Sequence, residues 1–174
     1  MRAMPSLRIA AQVGLKSFLG TALYCSVVCA VLQHVFEMRM VFAAMYRMFL
    51  YHLQHPYQYI SLFCVVFASC LVLLLSAWPR VRHWPAWLLM PVVMALTVLL
   101  ASSLGGALWK LHDMQAGYFP EGARFWSDLW WGVESGVQLG WWLLLRSLPF
   151  NLLCLPAFYL ACRYGLQTYR RVLA

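Results

Sequence analysis

The sequence predicts an all-α integral membrane protein with four transmembrane helices and two amphipathic helical connectors on the outer side. Of its 174 residues, 64% are hydrophobic and only 10% are charged, whereas a soluble domain is about 45–50% apolar and about 25% charged. The apolar residues form runs of about 20 residues, which is the length that crosses a hydrocarbon core as a helix. The basic residues lie mostly in short flanks of these runs. The length suits one compact bundle, so the chain is expected to form one membrane domain over residues 1–174.

Four apolar runs define the predicted spans. Each is expected to be helical, because in lipid a single segment can hydrogen-bond all of its own backbone groups only as a helix. The first covers residues 14–33 and carries only Lys16 near its start. The second covers 57–78 and is closed by Pro79, and the third covers 84–109. The fourth covers 137–162 and contains one charged residue, Arg146.

The placement of charge predicts the orientation of the chain. Eight of the thirteen basic residues precede the first span or lie at its start, lie between the second and third, or follow the fourth: Arg2, Arg8, Lys16, Arg80, Arg82, Arg163, Arg170 and Arg171. All five acidic residues fall in the other connecting segments or at their edges: Glu37, Asp113, Glu121, Asp128 and Glu134. The positive-inside rule then predicts a multi-pass protein of the cell membrane with both termini in the cytoplasm.

Two connectors are expected on the outer side. Residues 34–56 have apolar residues at helical spacing, but Glu37, Arg39 and Arg47 would each cost about 2.5–3.5 kcal/mol near the bilayer centre. An amphipathic helix in the interface, or a cap over the bundle, therefore fits this segment better than a fifth span. Residues 110–136 are rich in aromatic residues, which settle at the headgroup level. The predicted interfacial anchors are Trp126, Trp130, Trp131, Trp141 and Trp142.

The third span carries three overlapping pairs of small residues spaced four apart: Ala101 with Gly105, Ser102 with Gly106, and Ser103 with Ala107. Small residues let helix backbones approach closely, which is a main route to tight packing in lipid. The pattern predicts a helix-packing face. It is used either inside the bundle or between subunits, and a subunit interface predicts that Gly106→Leu disrupts a complex.

Arg146 is the one charged residue deep within a predicted span, which makes it a functional candidate by default. Its distance from Trp141 and Trp142 also allows the guanidinium to snorkel to the interface. Pairing with Glu134, with a neighbouring subunit or with a lipid phosphate is the alternative. Pro149 and Asn151 follow it and predict a kink with a polar partner nearby.

The histidines and cysteines give little evidence for a metal or redox centre. The spacing of His52 and His55 would place them on one face of a helix, and His112 with Asp113 would offer a third ligand. Isolated interfacial histidines are common, however, so no metal and no cofactor are expected. The cysteines are all in or beside apolar runs, and none forms a Cys-x-x-Cys pair: Cys25, Cys29, Cys64, Cys70, Cys154 and Cys162. Thiols in such positions usually act as small hydrophobic side chains.

The function expected from these features is that of a non-catalytic inner-membrane subunit of a larger envelope complex. No nucleophile with a base and no phosphate-binding glycine loop is recognisable, and no basic tract is long enough for nucleic acid. The expected partners are membrane lipids and other membrane proteins or further copies of the chain. One alternative is an oligomeric pore lined by Arg146 and Asn151; another is an enzyme acting on lipid or lipoprotein at the outer interface through His52, His55, His112 and Asp113.

Overall fold

The computed structural model describes residues 7–38, 56–117 and 124–173. These residues form five α-helices and one short 3-10 helix, without strands. The α-helices are α1 (Leu7–His34), α2 (Pro56–Ala77), α3 (Ala86–Gln115), α4 (Phe125–Arg146) and α5 (Leu148–Leu173), and the 3-10 helix is Pro79–His83. The predicted all-α class is confirmed for the described part of the chain.

In the described part of the chain, three helices are long and apolar enough to cross a membrane: Leu7–His34, Ile60–Ala77 and Ala86–Gln115. They contain the first predicted span, almost all of the second, and the third from its third residue onward. Helices of 28, 18 and 30 residues are about 42, 27 and 45 Å long at a rise of about 1.5 Å per residue. They indicate a membrane-embedded protein.

The predicted fourth span, residues 137–162, is not a continuous helix. α4 ends at Arg146, Ser147 forms a turn, and α5 begins at Leu148. Pro149 lacks a backbone N–H and therefore cannot pair with the carbonyl of residue 145, which explains a break at this point. The kink predicted from Pro149 is thus present as a full interruption, while the count of four spans stays a prediction.

The two predicted connectors have different outcomes. Of residues 34–56, the part from 39 to 55 lies outside the described residues. Of residues 110–136, the part from 118 to 123 lies outside the described residues, and the rest is mainly helical. α3 continues to Gln115 and α4 begins at Phe125, so most of this segment extends two helices that pack against each other.

The core lies between α1, α2 and α5. Phe67 and Leu71 of α2 are fully buried, and the ring of Phe67 lies 4.7 Å from the ring of Phe158 on α5. α1 and α5 run antiparallel, because Lys16 lies over Tyr164 near one end while Cys25 meets Cys154 farther along. α3 covers one side of this group, and α4 packs mainly on α3.

Hydrogen bonds join the 3-10 helix to α2 and α5. The Arg82 side chain is buried and donates to the carbonyls of Leu75 at 2.7 Å and Ser76 at 3.2 Å. Arg170 donates to the carbonyl of Arg82 at 2.6 Å. The structure therefore brings Arg82 and Arg170 to one end of the bundle, as the charge pattern predicts. The side of the membrane that this end faces stays a prediction.

Candidate functional site

α3 and α4 touch backbone to backbone through their glycines. A methyl group built on Gly106 would overlap the carbonyl oxygen of Gly132 and would lie 3.0 Å from the Cα of Gly136. A methyl group on Gly136 would overlap the carbonyl oxygen of Ser102. The two helices are antiparallel, since residues that come earlier in α4 contact residues that come later in α3. Only glycine permits this approach.

The predicted packing face of α3 lies at this contact. Ala101, Ser102, Gly105 and Gly106 are buried, while Ser103 and Ala107 are half-buried. Because Gly106 meets α4 of the same chain, a second subunit's backbone has no room at this position. The matching pattern on α4, Gly132-x-x-x-Gly136-x-x-x-Gly140, was missed by the sequence reasoning, although its four-residue spacing is the signal that could have found it.

Lys110 is buried where the α3–α4 contact nears the end of α3. Its Nζ lies 4.5 Å from the ring centre of Trp131 and 4.8 Å from that of Trp109. It also lies 3.8 Å from Oδ2 of Asp113. The Lys110 stem passes over Gly132, where a methyl group would come within 2.5 Å of Lys110 Cγ.

Aromatic faces and a carboxylate together stabilise a lysine charge that is partly removed from water. The sequence reasoning did not single out Lys110. The available signal was a lysine that follows a tryptophan directly and precedes an aspartate by three residues.

The outward face of α4 combines tryptophans with two polar side chains. Trp126 and Trp130 are 78% and 69% exposed, and Glu134 and Gln138 continue the same face one and two turns farther on and are also exposed. We call these four residues the outer face of α4.

Part of the outer face of α4 lies beside a stretch of α3 whose exposed side chains are apolar. Glu134 stands between Gly132 and Gly136 in sequence, and both of these glycines lie against Gly106. At that level α3 exposes Leu104 and Leu108. A carboxyl group and an amide thus point away from the bundle where the neighbouring helix presents leucines.

The predicted tryptophan anchors all lie on α4 and are all exposed: Trp126, Trp130, Trp131, Trp141 and Trp142. Trp126 and Trp142 are separated by about 24 Å along a helix with a rise of about 1.5 Å per residue. The five tryptophans are therefore spread along α4, and their role as membrane anchors stays a prediction. The snorkelling of Arg146 toward the level of Trp141 and Trp142 likewise stays a prediction.

The break between α4 and α5 borders a cavity of about 110 Å³. All five helices contribute to its lining, which is mostly apolar. Its polar groups come from Ser102, Ser147 and Asn151. The backbone N–H of Asn151 donates to the carbonyl of Ser147 at 2.9 Å, so regular helical bonding resumes directly after the break. Asn151 also lines this cavity, while the Arg146 side chain lies outside the described part of the structure.

Three of the cysteines meet beside this cavity. The thiol of Cys25 on α1 is within hydrogen-bonding distance of Cys64 on α2 and Cys154 on α5. All six cysteines are free and buried. In the described ranges, no group of three or more His, Cys, Asp or Glu residues is arranged to hold a metal ion. The thiols pack as small side chains where three helices converge.

The predicted histidine candidates are not brought together in the described part of the chain. His112 and Asp113 lie near the end of α3, whereas His52 and His55 fall outside the described residues. Comparison of the chain with protein-family models, with curated proteins and with solved structures finds no match.

Proposed function

We propose that this protein is a non-catalytic subunit of a larger inner-membrane complex and binds its partner through the outer face of α4. The observation that carries the proposal is the exposure of Glu134 and Gln138 beside the apolar level of α3. Both termini are placed in the cytoplasm in this proposal, in accordance with the basic residues at one end of the bundle.

An ionisable side chain that faces lipid is costly, and such residues in membrane proteins usually face protein or a water-filled space. Glu134 does not meet this condition within the described part of its own chain, because its side chain is exposed. A second membrane protein that covers the outer face of α4 would remove this cost. The adjacent tryptophans, Trp126 and Trp130, offer the large rigid side chains that often anchor protein interfaces.

The chemistry of this face specifies the partner. A transmembrane helix with a hydroxyl, amide or basic side chain at the matching level could donate hydrogen bonds to Glu134 and Gln138. Polar side chains hold helices together in lipid in this way, with measured contributions of about 0.6–2 kcal/mol per bond. The α3 glycine face is not used for this partner because α4 already covers it.

The test compares the native complex of the full chain with that of the double variant Glu134→Leu/Gln138→Leu. Membranes are solubilised in mild detergent, and native electrophoresis with mass spectrometry measures the size and composition of the tagged complex. The wild-type chain is expected in a complex with a second protein. The double variant is expected to remain in the membrane but to run as the isolated chain.

Gln167→Leu is the matched control, since Gln167 is exposed on α5 near the other end of the bundle. It removes an exposed amide without touching α4 and should leave the complex intact. A wild-type chain that runs alone would refute the proposal, as would a double variant that keeps the same partner as the wild type.

The oligomeric pore remains a second candidate because of the cavity at the helix break. Ser147 and Asn151 bring polar groups into a bundle whose lining is otherwise mainly apolar. Irregular backbone at membrane depth is tolerated where it lines a cavity or is buried in protein. A pore predicts ion conductance from reconstituted protein that Asn151→Leu abolishes, whereas the subunit proposal predicts no conductance from the isolated chain.

A further inference from the structure

A groove of about 280 Å³ runs along the junction of α1 and α5 on the surface of the bundle. Small residues from both helices form its floor, including Ser17, Gly20, Ala157 and Ala161. Gly20 opens the groove most widely, because a Cβ built there would have no atom within 4 Å. Small residues alone do not indicate what the groove binds. Two polar groups at one end of the groove indicate the chemistry of the ligand.

The first of these groups is the hydroxyl of Ser17. Ser17 is only 2% exposed and lines the groove. Its Oγ is the one buried side-chain oxygen or nitrogen without a hydrogen-bond partner within residues 7–38, 56–117 and 124–173. The hydroxyl of Thr21 does not supply one, since it donates to the Ser17 carbonyl at 2.7 Å. A buried hydroxyl without a partner is costly, so an acceptor from a ligand would relieve it.

The second group is the ammonium of Lys16. Lys16 is exposed, and its Nζ lies 5.7 Å from the ring centre of Tyr164 across the groove. The aromatic face keeps the cation at the mouth of the groove. Arg163 lies on α5 directly before Tyr164 and is exposed. Positive charge is therefore concentrated at the end of the groove that holds the Ser17 hydroxyl.

We propose that this groove binds an anionic phospholipid. The lipid phosphate accepts a hydrogen bond from the Ser17 hydroxyl and pairs with the Lys16 ammonium, while one acyl chain lies across Gly20 toward Leu160. Polar groups at one end and apolar or small residues along the rest match an amphiphile. The charge at the mouth selects an anionic headgroup, because basic residues near the membrane surface attract such lipids.

The full-length protein in detergent is titrated with phosphatidylglycerol, and native mass spectrometry counts the lipids that each chain retains. Phosphatidylcholine and inorganic phosphate serve as the other arms. One phosphatidylglycerol per chain is expected to bind more tightly than phosphatidylcholine, with little binding of phosphate alone. Equal retention of the two lipids would overturn the role of Lys16, and equally tight binding of phosphate alone would overturn the role of the acyl chain.

Three variants locate the site. Lys16→Gln should weaken phosphatidylglycerol binding by roughly fivefold, the effect expected for one basic residue near a charged headgroup. Ser17→Ala should weaken both lipids, and Gly20→Leu should abolish binding by filling the groove. Arg8→Gln is the matched control, because Arg8 is an exposed cation on α1 outside the groove lining.

Thermal unfolding of each variant separates a blocked groove from a damaged fold. If Gly20→Leu fails to fold, the Lys16→Gln and Ser17→Ala titrations decide the question. Unchanged affinity in both would overturn the proposal. A photo-crosslinker at position 20 that captures another protein chain, and no lipid, would also overturn it and would identify the groove as a helix-binding surface.

Discussion

Gly106→Ala is expected to destabilise the isolated chain because it adds one methyl group where the backbones of α3 and α4 touch. The methyl group would overlap the Gly132 carbonyl and would lie 3.0 Å from the Cα of Gly136. Both neighbours belong to the backbone of α4, so they cannot move aside as a flexible side chain does. α3 and α4 would have to separate, and the packing of Lys110 over Gly132 would loosen with them.

Two effects of opposite sign set the magnitude. Alanine is favoured over glycine inside a helix by about 0.8–1.0 kcal/mol. Overpacking of a tight contact typically costs about 1–3 kcal/mol and occasionally more, and contact with rigid backbone places this case at or above the upper end. The net expected loss is therefore about 2 kcal/mol of unfolding free energy, which lowers the ratio of folded to unfolded protein roughly 30-fold.

Gly14→Ala is the matched control on α1. A methyl group there meets only Val72 Cγ2, at the ordinary contact distance of 3.5 Å. This variant should gain up to about 1 kcal/mol from its better helix propensity. Reversible unfolding in mixed detergent micelles, followed by tryptophan fluorescence, measures both free energies against the wild type.

Equal stability of Gly106→Ala and Gly14→Ala would refute the backbone contact between α3 and α4. The measurement also separates two uses of the small-residue face. A contact between subunits would make the Gly106 effect depend on protein concentration, whereas a contact within the chain makes it independent of concentration. We expect independence.

Three further predictions concern the basic end of the bundle, the cysteine thiols and the topology. Arg82→Ala should lower the unfolding free energy by about 1.5–3 kcal/mol, the range for hydrogen bonds to charged groups; a change below 0.5 kcal/mol would contradict it, with Arg171→Ala as the exposed control. Intact mass with and without reduction should show six free thiols, and a protected pair would contradict this. Reporter fusions at residues 82 and 120 should give opposite signals, because the predicted topology places these residues on opposite sides of the membrane. Identical signals would exclude this topology.

Local properties of the sequence determine the membrane class and the positions of α1, α2 and α3. A run of apolar residues must be helical wherever lipid surrounds it, because its backbone groups have no other partners there. Pro79 and Pro149 act locally as well, since each removes one backbone donor. Arg82 and Arg170 meet at one end of the bundle, as the charge pattern predicts, while the number of spans stays a prediction.

The rotation and pairing of the helices follow only from the tertiary structure. Gly106 predicts that some backbone comes close, but it does not identify α4 of the same chain as the neighbour. Likewise, Cys25, Cys64 and Cys154 are far apart in sequence and meet only because α1, α2 and α5 turn these faces toward each other. The backbone hydrogen bonds of a helix are the same whichever of its faces is buried. The packing of neighbouring helices therefore decides which face that is. The unpaired Ser17 hydroxyl and the outward Glu134 are consequences of that packing.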